Sequence, residues 1–201
     1  MSVTNVTEKN GVRTYQVKIK FTDSMLDSED QIQNSLNDLG TLVTKDLLET
    51  FDSDGTAIVM GAEKWTSKGK VSKEYQTPYG VSTVERYIYQ SSRGGKTFCP
   101  LDEKARIVTT STPRFAKQIS HKFAESASTQ VQEDMRENHN RDVARSYLQN
   151  VADAVGAAVE AKEESWSYAP PELNKPVHMV GIGLDGTCML LCKDGYRVAM
   201  G

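Results

Sequence analysis

Hydrophobic and polar residues alternate near the start of the chain, and further along the spacing changes. From Tyr15 to Phe21 every second residue is apolar, which is the pattern of a half-buried strand. From Ile32 to Phe51 apolar residues recur every three or four positions, which is the pattern of an amphipathic helix. Ser28 stands at a capping-box position before this run. The first part of the chain therefore predicts one strand followed by one long helix.

The next segment changes from a polar, lysine-rich stretch to residues that favour strands. Residues 61–73 contain glycine and several lysines and predict a loop. Residues 74–98 favour strands, and Pro78-Tyr79-Gly80 has the composition of a turn between two of them. This segment predicts a small antiparallel sheet.

Helical spacing returns at residue 112. Thr112 followed by Pro113 has the composition of a helix start, and apolar residues then recur every four positions. Thr129 with Gln132 is a second capping box, and Asn140 is a candidate N-cap for a third helix. Three helices with a short middle one are typical of a helix-turn-helix, whose last helix enters the major groove of DNA.

Together these elements predict an α+β fold with four regions. We expect a strand–helix leader, a small antiparallel β region, a helix-turn-helix-like bundle, and a proline-rich linker that leads into further strands. The expected bounds of these regions are residues 1–60, 61–111, 112–168 and 169–201.

Composition narrows the class of protein. The chain has 201 residues, of which 38% are hydrophobic, so it can form a core without disulfides or metals. No run approaches the ~18 apolar residues that span a membrane, and we find no secretory signal. The three cysteines are irregularly spaced, which favours reduced thiols and a cytoplasmic location.

Charge is distributed unevenly along the chain. The net charge is −3, yet residues 61–122 hold twelve basic and five acidic residues. Such a local excess of positive charge suits a polyanion such as nucleic acid, or it belongs to a solvated lysine-rich loop.

The third predicted helix has a polar face suited to reading bases. Arginine pairs with guanine, and glutamine or asparagine pairs with adenine, through bidentate hydrogen bonds. The candidate base-reading residues are Arg141, Arg145, Ser146, Gln149 and Asn150. Candidate phosphate contacts on the first helix are Arg114, Lys117 and Lys122. The alternative is a plain helical hairpin with a solvated polar face.

A carboxylate follows an apolar stretch near the C-terminus. Residues 177–184 favour a strand, and Asp185 comes directly after it. Acidic side chains at strand ends hold Mg²⁺ in enzymes that use two metal ions for phosphoryl transfer. The alternative is that Asp185 and Gly186 form an ordinary turn.

Four motifs in one order carry a family resemblance. They are Thr77-Pro78-Tyr79-Gly80, Arg93 to Asp102, Thr112 to Lys117, and Val180 to Thr187. Over about residues 70–200 the chain resembles bacterial insertion-sequence transposases of the ISKra group. The resemblance implies a DNA transposase with a ribonuclease H-like catalytic domain of the DDE type, which uses three acidic residues and two divalent metal ions.

The resemblance also implies roles for particular segments. Asp185 matches the first of the three acids and would hold Mg²⁺ or Mn²⁺ in a completed site. Residues 113–155 would bind double-stranded DNA at the terminal repeats of a transposon. Members of the family continue through the other two acids, whereas this chain stops at Gly201. We therefore expect end binding without strand cleavage, no cofactor for this chain alone, and a location at the bacterial nucleoid.

Two other hypotheses stay open. In one, the chain supplies Asp185 to a split transposase that a downstream polypeptide completes. In the other, it is an interaction protein without a DNA partner, because the helix over residues 28–51 has an apolar stripe wide enough for dimerisation. The expected protein partners are a second copy of the chain or full-length transposase.

Overall fold

A computed structural model of the chain describes residues 2–163, 165, 167, 186–191 and 195–200. The chain divides into two compact units, Met1–Glu164 and Ser165–Gly201. The first unit combines helices with antiparallel sheets, which confirms the expected α+β fold. None of the described helices is long and apolar enough to cross a membrane.

An N-terminal hairpin opens the first unit. Strand β1, Ser2–Lys9, pairs antiparallel with strand β2, Val12–Lys18. Asn10 and Gly11 form the turn with φ of 52° and 75°, the left-handed conformation that two-residue hairpin turns favour. Sequence alternation predicted β2, which ends earlier than expected, but it did not predict β1.

Helix α1, Met25–Thr50, is the long helix that the apolar spacing predicted. It begins before the expected Ser28, because the Ser24 hydroxyl accepts a hydrogen bond from the Asp27 N–H and caps the helix. The Ser28 hydroxyl instead donates to the Ser24 carbonyl at 2.8 Å.

A four-stranded antiparallel sheet follows α1 along the chain. Its strands lie in the order β3 (Ile58–Met60), β4 (Glu63–Gln76), β5 (Val81–Ser91) and β6 (Thr97–Phe98). The turn at residues 78–80 joins β4 to β5, as the sequence predicted. The Ser82 hydroxyl donates to the Thr41 carbonyl at 3.0 Å and so connects the sheet to α1.

The prediction of a loop over residues 61–73 is wrong, because β4 runs through this segment. β4 pairs with β5 along most of its length, with an irregularity between Ser67 and Lys70. Most of the lysine side chains in this stretch are exposed. Pairing with a neighbouring strand outweighs the low strand propensity of lysine and glycine.

A short helix, α2 (Pro100–Lys104), supplies Asp102 to a partly buried polar cluster beside the sheet. The Tyr75 hydroxyl donates to Asp102 at 2.5 Å, and the Arg86 guanidinium lies 3.3 Å from the other carboxylate oxygen. Burial, together with this hydrogen bond, raises the pKa of the Tyr75 phenol, which therefore stays protonated as a donor. The core around this cluster contains Leu48, Tyr75, Val84, Cys99 and Leu101.

Three helices complete the described part of the first unit: α3 (Pro113–Glu125), α4 (Ser128–His139) and α5 (Arg145–Glu163). They share a core that includes Phe115, Ile119, Val131, Met135, Leu148 and Val151. The start of α3 is as predicted. Helix α4 starts slightly earlier than the Thr129 cap implied, because the Gln130 side chain accepts a hydrogen bond from the Ala127 N–H.

Asn140 ends α4, and the prediction that it caps the third helix is wrong. Its φ of 50° and ψ of 43° are left-handed, and its N–H bonds to the Met135 carbonyl. Helix α5 begins only at Arg145. Asparagine is common both at N-caps and in left-handed helix ends, so its presence alone does not separate the two.

The second unit contains a hairpin. Strand β7, Gly186–Leu191, pairs antiparallel with strand β8, Gly195–Met200. The strand predicted over residues 177–184 lies outside the described residues.

Candidate nucleic-acid interface

The first two turns of α5 expose a polar face. Leu148 and Val151 are fully buried against α3 and α4, and this packing fixes which side of the helix meets solvent. The exposed residues on these turns are Arg145, Ser146, Gln149 and Asn150. The structure thus brings together four of the five predicted base-reading residues.

One residue of this face is already engaged within the helix. The Gln149 amide donates to the Asp153 carboxylate at 2.7 Å, one turn further along. A glutamine that reads adenine needs both its donor and its acceptor at the base edge. To read adenine, Gln149 would have to exchange the Asp153 bond for one to a base, whereas Arg145 forms no hydrogen bond or ion pair with another described residue.

Arg141, the fifth predicted residue, does not belong to this face. It lies between α4 and α5 and is only 7% exposed. Helical spacing placed it one turn before Arg145, but residues 141–144 are not helical. Its prediction as a base-reading residue is wrong, because a buried guanidinium cannot reach a base edge.

Arg141 is instead a buried cation at the junction of helices and sheet. Its Nη2 donates to the Gln76 side-chain oxygen at 2.6 Å, and its guanidinium lies 5.4 Å from the centre of the Phe115 ring. Its Nε has no hydrogen-bond partner among the described residues. Burial lowers the pKa of Arg141, and no described carboxylate pairs with it.

Backbone and hydroxyl bonds join the same junction to α5. The Thr112 N–H donates to the Gln76 carbonyl at 2.9 Å. The Tyr147 hydroxyl lies 2.8 Å from the Ser111 hydroxyl and 3.0 Å from that of Thr110. Tyr147 was not among the predicted site residues. The only sequence signal for its polar role was the pair of hydroxyl residues, Thr110 and Ser111, that precedes α3.

The three predicted phosphate contacts on α3 differ in exposure and in whether they already form an ion pair. Arg114 and Lys117 are exposed. Lys122 is half-buried and pairs with Asp134 of α4. This lysine, together with Asn138, holds the pKa of the Asp134 carboxyl below its usual range. Lys122 would have to leave Asp134 before it could meet a phosphate.

Strand β4 offers a second exposed group of cations. Lys64, Lys68 and Lys70 are exposed along it. The Lys70 ammonium lies 5.0 Å from the centre of the Tyr87 ring, which orients this side chain over the sheet. The lysines of residues 61–73 therefore lie on a strand rather than in a loop.

The predicted catalytic carboxylate, Asp185, lies outside the described residues. Within the described part of the chain, no three histidine, cysteine or acidic side chains come together as metal ligands.

The sequence matches no protein-family model and no curated protein. Any functional assignment must therefore come from the geometry and from the motifs of the chain itself.

Proposed function

We propose that this chain binds double-stranded DNA with sequence preference through the first two turns of α5. The observation that carries the proposal is the exposed face formed by Arg145, Ser146, Gln149 and Asn150 on a helix anchored by its opposite side. Such a face can enter the major groove while the packed side holds its orientation.

Binding energy and sequence preference would come from different residues. Arg114 and Lys117 are exposed on α3 and would contact phosphates. This contribution falls as the salt concentration rises, because the counterions that binding releases from DNA then gain less free energy. Arg145 would supply a bidentate contact to guanine. The transposase-like motifs support the terminal repeats of a mobile element as the DNA target, in the cytoplasm at the nucleoid.

A fluorescence-anisotropy titration of the full chain tests this proposal. The two duplexes are the terminal repeat of an element that encodes similar motifs and a scrambled sequence, each at two salt concentrations. We expect Arg145→Ala to cost about 1–3 kcal/mol on the repeat and to remove most of the preference over scrambled DNA. The matched control is Arg136→Ala, which removes an exposed arginine from α4 that pairs with Glu137.

The results separate base reading from general attraction. Equal binding of both duplexes by the wild type would refute sequence preference. An equal loss on both duplexes in Arg145→Ala would make Arg145 a phosphate contact. Equal losses of DNA affinity in Arg145→Ala and Arg136→Ala would show that an arginine on α5 contributes no more to binding than an arginine on α4.

A second candidate function, self-association through α1, is favoured by the exposed apolar stripe of that helix. Met25 and Leu36 are 73% and 53% exposed, and Ile32 lies between them on the same side. Patches of this kind mark interaction surfaces. Sedimentation of the full chain tests it: Leu36→Gln should shift a dimer to monomer, whereas Val159→Gln, at a similarly exposed position on α5, should not. A monomeric wild type at high concentration would contradict it.

A further inference from the structure

An apolar groove of about 340 Å³ lies where α1, the turn between β4 and β5, and the start of α3 meet. Its walls include Leu47, Phe51, Pro78 and Tyr79, and its polar end includes Thr112 and Arg114. Leu47 is 55% exposed, so the groove is open to solvent on that side. A volume near the lower end of the range for ligand pockets suits a small molecule.

The walls of the groove are held in place before any ligand arrives. The Thr77 hydroxyl accepts hydrogen bonds from the N–H groups of Tyr79 and Gly80 and donates to the Gly80 carbonyl, which fixes the turn. Tyr79 lies directly on α1, since a Cβ placed on Gly40 would come 2.3 Å from its ring. A preformed wall lowers the entropy that a ligand must lose on binding.

The polar end of the groove carries an unfilled hydrogen-bonding group. Thr112 stands at the N-cap of α3, yet its side chain does not cap the helix. It is 7% exposed, and its hydroxyl has no hydrogen-bond partner among the described residues. Buried polar groups are nearly always paired. No side chain caps the N-terminus of α3, and its first residues line the groove, so the positive end of the helix dipole lies at this end of the groove.

The charge at this end has one sign. Arg114 is the only charged residue that lines the groove, and it forms no ion pair with another described residue. A guanidinium beside a helix N-terminus is suited to a carboxylate, because both supply donors and positive potential.

We propose that this groove binds a small carboxylic acid with an aryl or branched alkyl body. The carboxylate lies at Arg114 and the start of α3, within reach of the Thr112 hydroxyl after rotation of that side chain. The apolar body lies between Leu47 and Tyr79. This site shares Arg114 with the proposed phosphate contacts on α3, but none of the proposed base-reading residues of α5 lines it.

A titration followed by ¹H–¹⁵N correlation spectra of the full chain tests the proposal with 3-phenylpropanoate as the probe. The matched ligand control is 3-phenylpropanamide, which has the same shape without the charge. We expect the acid to shift resonances of groove residues and to bind about tenfold more tightly than the amide, the effect of one charge-assisted contact. Equal affinity of acid and amide, or no binding at millimolar concentration, would overturn the proposal.

Three variants locate the site. Arg114→Gln should weaken binding of the acid about tenfold and leave the amide unchanged. Lys117→Gln removes the same charge from the next exposed position of α3 and should leave both ligands unchanged. Arg145→Ala, which tests DNA binding, should also leave the acid unchanged. An equal loss of affinity for the acid in Arg114→Gln and Lys117→Gln would show that the acid responds only to the general charge of α3. That result would refute binding in the groove.

Discussion

The Nη2 of Arg141 donates to the side-chain oxygen of Gln76 at 2.6 Å, across 65 residues of sequence. A neutral amide is thus the hydrogen-bond partner of a buried cation that pairs with no described carboxylate. Removing a charge from water is costly unless hydrogen bonds replace the lost solvation. Gln76 therefore has a larger effect on stability than its half-buried position at the end of β4 would suggest.

Replacing Gln76 by leucine should destabilise the protein by about 2–3 kcal/mol, because the guanidinium loses its acceptor and stays buried. The double change Gln76→Leu with Arg141→Met should recover most of this loss, since an apolar pair of similar volume needs no hydrogen bond. Denaturant unfolding of both single variants and the double variant measures the coupling. Additive effects would show that the two side chains do not act together.

Gly40→Ala should destabilise the protein even though alanine favours helices. A Cβ at residue 40 would lie 2.3 Å from Cγ of Tyr79, near the rigid base of that side chain. We expect a net loss of about 1–3 kcal/mol from overpacking. The matched control is Gly156→Ala in α5, where a Cβ meets nothing within 4 Å. That change should raise stability by about 0.5–1 kcal/mol in thermal unfolding. A stabilising Gly40→Ala would contradict the packing of Tyr79 on α1.

Tyr147→Phe should cost about 1–2 kcal/mol of stability, because the fully buried Ser111 hydroxyl would lose its partner. Hydrogen exchange should report the same change as faster exchange in the segment around residues 108–112. Unchanged stability would mean that another group satisfies Ser111.

Stability should decrease as the pH falls from 7 to 5, and His139 should account for part of the decrease. Burial lowers the pKa of His139 below its ordinary value of 6.5. Nearby Lys122 lowers this pKa further, whereas Asp134 raises it. The unfolded chain then binds the proton more readily than the folded one. The stability of the fold therefore decreases as the pH drops below the pKa that His139 has in the unfolded chain. Unfolding of His139→Asn across this range should show a shallower pH dependence. Equal slopes in the two proteins would exclude His139 as a source.

Local chemistry in the sequence was sufficient to predict much of the fold. Thr112 with Pro113 marked the start of α3, and the turn at residues 78–80 marked the boundary between two strands. Residues 63–73 of β4 were missed because their lysines and glycine gain strand structure only from pairing with β5, which no local pattern reveals.

The candidate interface shows the same limit at single residues. Arg145 and Gln149 were placed correctly because they lie within α5, where the helical period holds. Arg141 was misplaced because that period was extended through residues 141–144, past a left-handed asparagine that has already ended the previous helix. Thr112 and Arg114 could not be recognised as one end of a groove, since its opposite wall comes from a helix far away in sequence.

The bonds around Gln76 have a consequence for how the molecule comes apart. Its side chain accepts from Arg141, its carbonyl accepts from Thr112, and its N–H donates to Thr110. A fragment that starts at residue 112 would keep three helices, with Arg141 and Thr112, but would lose Gln76 and therefore every one of these bonds. We therefore expect sheet and helices to melt in one cooperative transition, so that any loss of sheet stability lowers the population of molecules in which α5 is anchored.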